Sequence, residues 1–435
     1  MNLQFVAIGF FAMLGMMLLG LPIATSMAVV GIIGGMAAYG LPFIDSIAPV
    51  VWGVHNDNLL TSIPLFVLMG ELLLRSGIAD RMFGALAAWL GRLPGGLLHT
   101  NIGCSALFAA TSGSSVATAA TVGTVALPSL HKRGYSMPMS LGSIAAGGTL
   151  GILIPPSVNM IVYGSLTDTS IGKLFIAGII PGLLLSGAFM GFIMLHALLT
   201  KNTIREEKVP LPERLRLLKD LIPPGVVFLI VMGSLYSGIA TTTESAALGV
   251  VASLGFAWRS RKLNWTLLQN CFVQTAKTSG MILLIITAAF ILNLAVSLTG
   301  VAEMMTQWVT SFGLSGTQML FILILFILIL FYLLLGMFMD VLSMMVATIP
   351  ITFPIVVALG IDPVWFGIFI VLMCELGLIT PPVGMNLFVV QGIRPDGGSI
   401  RDAIVGALPY VFILLGFALL LIAFPAIVTW LPGQM

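Results

Sequence analysis

A run of small, hydroxyl-bearing residues, ATSGSSVATAATVGT at 110–124, sits inside an apolar region where leucine would be the ordinary choice. Serine and threonine hydroxyls, and carbonyls left open around glycine, are hard oxygen donors of the kind a group I or II cation accepts. Small residues also let helices pack closely, which accounts for the alanines and the outer threonines. Packing accounts less well for consecutive Ser112-Gly113-Ser114-Ser115, because glycine there should break the helix. A second candidate is Asp340, in LLLGMFMDVLSMM at 333–345. A carboxylate at membrane depth costs about 3 kcal/mol or more unless it is paired, solvated or protonated. No basic residue lies in the neighbouring apolar segments, which leaves a bound cation, a substrate hydroxyl or local backbone amides as its partner. The third feature occurs twice. GTLGILIPPSVNM at 148–160 and GLITPPVGMN at 377–386 each carry Pro-Pro, with glycines before the pair and an asparagine, Asn159 or Asn386, after it. Proline lacks an N–H and clashes with the preceding turn, so each pair frees carbonyls and leaves half-helix ends. Freed carbonyls and half-helix C-termini suit a cation, and half-helix N-termini suit an anion. A kink that serves packing alone is the plainer alternative.

The elements that must hold these groups are membrane helices. The 435 residues are 59% hydrophobic and only 8% charged, with mean hydropathy +1.13. Soluble domains carry about 25% charged residues, so a soluble fold would lack the polar surface to cover itself. A net charge of +2 gives no reason to expect nucleic acid, since the basic residues fall in loops. Cys104, Cys271 and Cys374 form neither a metal nor a disulfide pattern. The first twenty residues are apolar with no Lys or Arg before Arg75, and read as a retained first span and not a signal peptide.

A span needs about 20 apolar residues. Spans are expected near 4–20, 22–41, 59–76, 138–165, 174–200, 221–238, 243–258, 277–298, 363–391 and 402–431. Regions 97–130 and 316–358 are each punctured by small or polar residues and are expected to form re-entrant hairpins. Non-helical backbone at membrane depth is tolerable only against protein or a wet cavity. With the N-terminus outside, 17 of the 18 Lys and Arg residues fall on the inside and only Lys173 outside, as the positive-inside rule requires. Both termini are then expected on the outer side.

The two halves echo each other. SMAVVGI (26–32) resembles SAALGVV (245–251), and SGIADRM (76–82) resembles TGVAEMM (299–305). Pro128 aligns with Pro354, Pro155-Pro156 with Pro381-Pro382, and AGIIPG (177–182) with VGALPY (405–410). The order is common and the offset drifts only from 219 to 228. Each half holds five spans and one hairpin, an odd number, so the second half inserts upside down. The expected fold class is therefore an all-α polytopic membrane protein with an inverted-topology repeat. The expected organisation is a first repeat at 1–200, a cytoplasmic linker at 201–220 and a second repeat at 221–435. Such repeats place substrate and ion sites at the midplane, where helices are broken.

The remaining polar residues carry weaker signals. Glu71 and Glu244 read as structural, Glu244 as a first-turn helix acid, and Glu375 is left open. His55, His99, His131 and His196 lie in loops or near span ends. An intramembrane enzyme is disfavoured, because no HExxH, no Ser–His pair at depth and no aspartate dyad is apparent. A channel is disfavoured too, because closed hairpins block a continuous pore.

SGSSVATAATVGTVALPSLHKRGY (112–135), GILIPPSVNMIVYG (151–164), GIATTTESAA (238–247), GMFMD (336–340) and ELGLITPPVGMNLF (375–388) resemble the large membrane subunit of tripartite ATP-independent periplasmic (TRAP) transporters. The resemblance covers nearly the whole chain. It departs at Thr242, where the family usually has proline. It implies sodium-driven uptake of a small carboxylate-bearing anion (a C4-dicarboxylate, sugar acid or sialic acid) by an elevator motion. The implied partners are a small four-helix membrane subunit and a periplasmic substrate-binding protein, and the implied setting is the bacterial inner membrane. Sodium is the implied coupling ion, with no organic cofactor. Carried over, one sodium site falls near Ser112, Ser114, Ser115, Gly151 and Asn159, and the other near Gly336, Asp340, Thr380, Gly384 and Asn386. Solute contacts are expected at Ser115, Ser157, Asn159, Asp340 and Asn386. The alternative reading is a stand-alone sodium/dicarboxylate symporter of similar hairpin architecture.

Overall fold

The computed structural model describes residues 3–200, 208–300, 304, 307, 311, 328–336 and 339–434. Among them the chain is helical, with no strand. The order is α1 Leu3–Leu18, α2 Ile23–Tyr39, α3 Pro42–His55, α4 Ser62–Arg75, α5 Ile78–Leu90, α6 Leu97–Ser112, α7 Ser115–Lys132, α8 Met137–Leu153, α9 Val158–Thr167 and α10 Ile171–Leu199. It continues with α11 Leu211–Leu217, α12 Ile222–Tyr236, α13 Thr242–Arg259, α14 Trp265–Leu298, α15 Ile329–Leu335, α16 Val341–Ala358, α17 Pro363–Ile379, α18 Met385–Gly392, α19 Arg401–Ala423 and α20 Ala426–Thr429. Most of the expected first arm of the second hairpin (316–327), part of the linker (201–207) and most of the repeat segment 299–305 lie outside the described residues.

Helices α10, α14, α16 and α19 are each long and apolar enough to cross a membrane. Two bent pairs also pass together, α4 with α5 at 68° and α8 with α9 at 41°. The second bend is the first Pro-Pro break, and Pro155-Pro156 and Pro381-Pro382 are both cis. Three elements differ from the expected spans. Helix α14 begins at Trp265 and not near 277, because Asn264 caps it by accepting from the Leu267 N–H (2.8 Å) and no proline or glycine interrupts 265–279. Polar residues there lower the local hydropathy without ending the helix. Helices α3 and α5 fall between expected spans; each is short and amphipathic, a pattern that a search for uniformly apolar runs passes over.

Local sequence fixes the other ends in ordinary ways. Asp362 caps α17 through the Val364 and Trp365 N–H groups (2.7 and 2.9 Å), with Pro363 as the first helical residue. Thr241 and Glu244 form a capping box on α13, which bears out Glu244 as a first-turn acid. Thr242 is the first residue of that helix, a position that tolerates proline but does not need it.

Packing divides around these helices. Helix α14 runs along α2 and also meets α3 and α4, while α13 packs on α4 and α12. The other group centres on α8 and α17. Residues Ser140–Leu153 of α8 and Trp365–Ile379 of α17 are buried without a break. A helix apolar or small on all sides belongs in the middle of a bundle. Helix α8 is wrapped by α6, α7, α18 and α19, and α17 by α10, α15, α16 and α19. Contacts cross between the two parts of the chain: α7 packs on α18, and α16 packs on α9.

The tightest contact is Gly142 of α8 against Gly406 of α19. A Cβ on Gly142 would lie 2.9 Å from the Gly406 Cα, and one on Gly406 would lie 2.6 Å from the Pro138 carbonyl carbon. Small residues allow such approach where lipid supplies no hydrophobic drive between helices. Gly142→Leu should therefore lower stability by about 1–3 kcal/mol or more, the cost of forced overpacking. Thermal unfolding of the purified protein in detergent measures it, with Gly416→Leu, at a position with open space around it, as control. Equal midpoints would mean that α8 and α19 part freely.

Candidate functional site

The first hairpin is α6, a two-residue break and α7. Gly113 takes φ 60°, the left-handed region that glycine adopts without a Cβ penalty, and Ser114 is extended. Ser114 then caps α7, its hydroxyl accepting from the Ala117 N–H (3.4 Å). The Ser112 and Thr118 hydroxyls are 2.8 Å apart, and Thr118 donates to the Ser114 carbonyl (2.7 Å). Thr118 thus joins the site, one turn into α7 within the hydroxyl run that marked the tip.

This tip lies on the break between α8 and α9. A Cβ on Gly113 would stand 3.1 Å from the Pro156 carbonyl oxygen and 3.4 Å from the Val158 nitrogen. A Cβ on Gly151 would stand 2.6 Å from the Ser114 carbonyl oxygen and 2.7 Å from Thr118 Oγ1. The Ser114 carbonyl and the end of α8 are thereby brought together with no side chain between them. Ser157 precedes α9 without capping it; its hydroxyl is buried and has no partner among the described residues. Asn159 is 4% exposed and its Oδ1 is likewise unpartnered.

At the second tip, Gly336 ends α15 and Asp340 immediately precedes α16. The Ser343 hydroxyl donates to Asp340 Oδ1, a local partner one turn into the helix. A Cβ on Gly336 would lie 2.5 Å from the Gly377 Cα, so this tip also rests on a broken helix. Thr380 donates its hydroxyl to the Leu376 carbonyl (2.5 Å). A Cβ on Gly384 would lie 2.5 Å from the Leu378 carbonyl oxygen. Asn386, grouped with Asp340 on the sequence, instead turns its amide to the first hairpin. It donates to Ser115 Oγ (2.8 Å) and to the Ala145 carbonyl (3.2 Å).

A cavity of about 600 Å³ separates these tips from helices α4 and α14. Ser112, Ser114, Ser115, Asn159 and Asp340 all line it. Gly151, Ser157, Gly336, Thr380, Gly384 and Asn386 do not; they build the breaks behind it. The opposite wall presents Glu71, Gln274 and Thr278. Glu71 accepts from Arg75 Nε (2.8 Å), as a structural acid would, yet it also faces the cavity. Gln274 and Thr278 escaped the sequence reading. Their signal is a polar pair spaced four apart on one helix, linked at 3.4 Å. Among the described residues the lining holds two carboxylates and no Lys, Arg or His. Size and lining suit a small polar solute.

The sequence matches the family described as "Tripartite ATP-independent periplasmic transporter, DctM component" over residues 10–427. The chain belongs to that family. A C4-dicarboxylate TRAP transporter large permease protein DctM from Pseudomonas aeruginosa is 35% identical over 395 residues, which is 90% of each chain. An isethionate TRAP transporter permease protein DctMQ from Oleidesulfovibrio alaskensis is 33% identical over 98% of this chain and 66% of its own length. Relatives from Halomonas elongata and Haemophilus influenzae, each 31% identical, are named for ectoine and sialic acid. The solved structure of the Alcanivorax borkumensis YdaH transporter is 15% identical, with TM-score 0.65 over 90% of both chains, and shares the fold. This is a TRAP transporter large permease and a membrane protein, and its relatives are permeases and not enzymes.

Asn386 ties the permease's second break to its first tip, so Asn386→Ala should cost about 1–3 kcal/mol, since the buried Ser115 hydroxyl loses its donor. Ser115→Ala should cost less, because the Asn386 amide keeps Ala145. The double variant should fall short of the sum. Denaturant titration of the three purified variants gives the coupling, and strict additivity would sever the two residues.

Proposed function

We propose that this permease imports a small carboxylate-bearing solute, of the C4-dicarboxylate, sugar acid or sialic acid class, driven by a sodium gradient. The observation that carries the reading is the cavity lining: clustered hydroxyls and an amide from one hairpin tip and one broken helix, with Asp340 from the other tip. A negative solute beside two carboxylates and no fixed cation needs mobile positive charge, and sodium is a hard ion that such oxygens accept. Ser112, Ser114, Ser115, Gly151 and Asn159 would hold one ion. The chemistry fits: the Ser114 carbonyl and the Ser112 and Thr118 hydroxyls converge there, and Asn159, whose Oδ1 is unpartnered, lines the same cavity. At the second tip Asp340 takes the cation-facing role, with Gly336, Thr380, Gly384 and Asn386 shaping the break behind it. Ser115, Ser157, Asn159, Asp340 and Asn386 form the solute's surroundings, Ser157 and Asn386 from behind the wall.

The chain acts in the bacterial inner membrane with about ten spans, two hairpins, inverted repeats and periplasmic termini. The group around α8 and α17 carries the solute as an elevator past the group around α2, α4, α13 and α14. A periplasmic binding protein delivers the solute, and a small four-helix subunit completes the membrane complex. The relative named DctMQ is longer than this chain, which leaves length for a second component and supports that partner.

Thermal unfolding in sodium against equal potassium tests the ion. At a hundredfold excess over Kd, a ligand of the native state adds about 2.7 kcal/mol. A rise specific to sodium is expected, and Ser114→Ala should abolish it. Asp340→Asn should keep its fold and lose most sodium-coupled uptake. Unchanged uptake in that variant removes Asp340 from the mechanism, and equal curves in both salts remove the ion from the first tip.

A further inference from the structure

Far from the cavity, helix α11 carries an apolar face that no described residue covers. Leu211, Leu215 and Leu218 follow one another at intervals of four and three, the stripe of an amphipathic helix, and all three are exposed. A 3-10 turn, Leu218–Leu221, joins α11 to α12. The exposed stripe runs on through Ile222 into Leu229 and Tyr236, at intervals of seven along α12. The other side of α11 is held by protein. Trp89 of α5 donates from Nε1 to the Arg214 carbonyl (3.3 Å), and the Arg214 guanidinium lies 5.7 Å from the centre of the Trp89 ring. Helix α5 in turn bonds the chain just after α13, where Arg81 Nη2 donates to Ser260 Oγ (3.1 Å). Exposed Trp258 and Trp265 flank that turn, with Arg259, Arg261 and Lys262 between them. Exposed tryptophan marks a membrane–water interface, and clustered basic residues mark its cytoplasmic side. Helix α11 is therefore held at the level of that interface with its leucines outward.

Charge flanks the stripe on one side. Arg216 and Lys219 each follow a stripe leucine by one position, about a third of a turn round, and both are exposed. Glu213 and Asp220 fall on the opposite side of the helix, away from the leucines. We propose that α11 and the turn after it form a binding surface for anionic lipid headgroups, with the leucines in the acyl boundary and Arg216 and Lys219 on the phosphates. Apolar burial and attraction to anionic lipid act together in such a segment. A protein partner fits less well, because lysine is depleted at protein interfaces and the stripe is continuous with the outer face of a membrane helix. The surface also has a lever on the transport machinery: α5, which α11 grips, packs on both arms of the first hairpin, α6 and α7.

Lipid quenching of the full-length purified chain in phosphatidylcholine vesicles tests this. A fluorophore is placed on Leu215→Cys; Cys104, Cys271 and Cys374 are buried and leave the new thiol as the reactive one. Brominated lipids quench a fluorophore that they touch. Titrating brominated phosphatidylglycerol against brominated phosphatidylcholine gives their relative binding, and a preference of about fivefold or more for the anionic lipid is expected. Arg216→Gln combined with Lys219→Gln should remove the preference and leave the thermal unfolding midpoint unchanged. A fluorophore on Glu213→Cys, across the helix, should be quenched far less by either lipid. Equal quenching by the two lipids, or a preference that survives the double variant, overturns the headgroup site. Absence of quenching at position 215 removes the face from the membrane. Loss of quenching when the small membrane subunit is added assigns the face to that protein and overturns the lipid site.

Discussion

Every buried backbone N–H and C=O in a membrane protein needs a partner, and this permease interrupts two buried helical runs, α8–α9 and α17–α18, at Pro-Pro. Each break exposes helix ends in a medium where an unsatisfied polar group costs several kcal/mol. The rest of the fold is arranged to cover them. A hairpin tip rests on each break, through Gly113 over Pro156 and Val158 and through Gly336 against Gly377. Glycine suits both contacts: a Cβ at Gly336 would force the two backbones apart, and Gly113 takes a positive φ with the Pro156 carbonyl close by. Lipid could not perform this covering, because it has no hydrogen bonds to offer. The long buried helices α8 and α17 exist to place the breaks deep, and their neighbours exist to keep the freed groups away from hydrocarbon.

Covering a break from within its own half would leave the two parts of the chain mechanically separate. Here they are tied across. Asn386 of α18 bonds Ser115 at the first tip and Ala145 on α8. The Tyr163 hydroxyl of α9 donates to the Pro363 carbonyl at the start of α17 (2.7 Å). Gly142 and Gly406 bring α8 and α19 to backbone contact. The first two links engage buried polar side chains, so each has a large cost of removal relative to its net worth. The result is one body that carries both breaks, set against helices α4 and α14 across a cavity.

Much of this was legible in the residues. The hydroxyl run announced the first tip, because serine and glycine in an apolar stretch have few other uses, and Ser114 does cap α7 there. The Pro-Pro pairs announced the breaks, because proline removes a donor whatever the tertiary context. What escaped was long-range or local in ways that pattern does not record. Asn386 aligns with Asp340's half on the sequence, yet its amide crosses to Ser115; nothing in spacing along a chain specifies a partner 271 residues away. For Asp340 the sequence offers a bound cation, a substrate hydroxyl or local amides as partner, and the structure adds the Ser343 hydroxyl one turn ahead. Gln274 was hidden because α14 starts well before its apolar run. Helices α3 and α5 were hidden because amphipathic segments do not register as spans.

The same constraint explains why the cavity's charge is carried by so few groups. A fixed Lys or Arg beside the tips would have to be satisfied whenever the solute is absent, and a buried unpaired cation is costly. Hydroxyls, carbonyls and helix ends are dipoles, so they stand unliganded at far lower cost and can still bias the site toward one sign of charge. Asp340 is the exception, and it sits before α16 with a hydroxyl already on one oxygen. Glu71 is held by Arg75 on the same helix. A site built this way holds few fixed charges when it empties: Glu71 keeps Arg75, and Asp340 alone is left with a neutral partner.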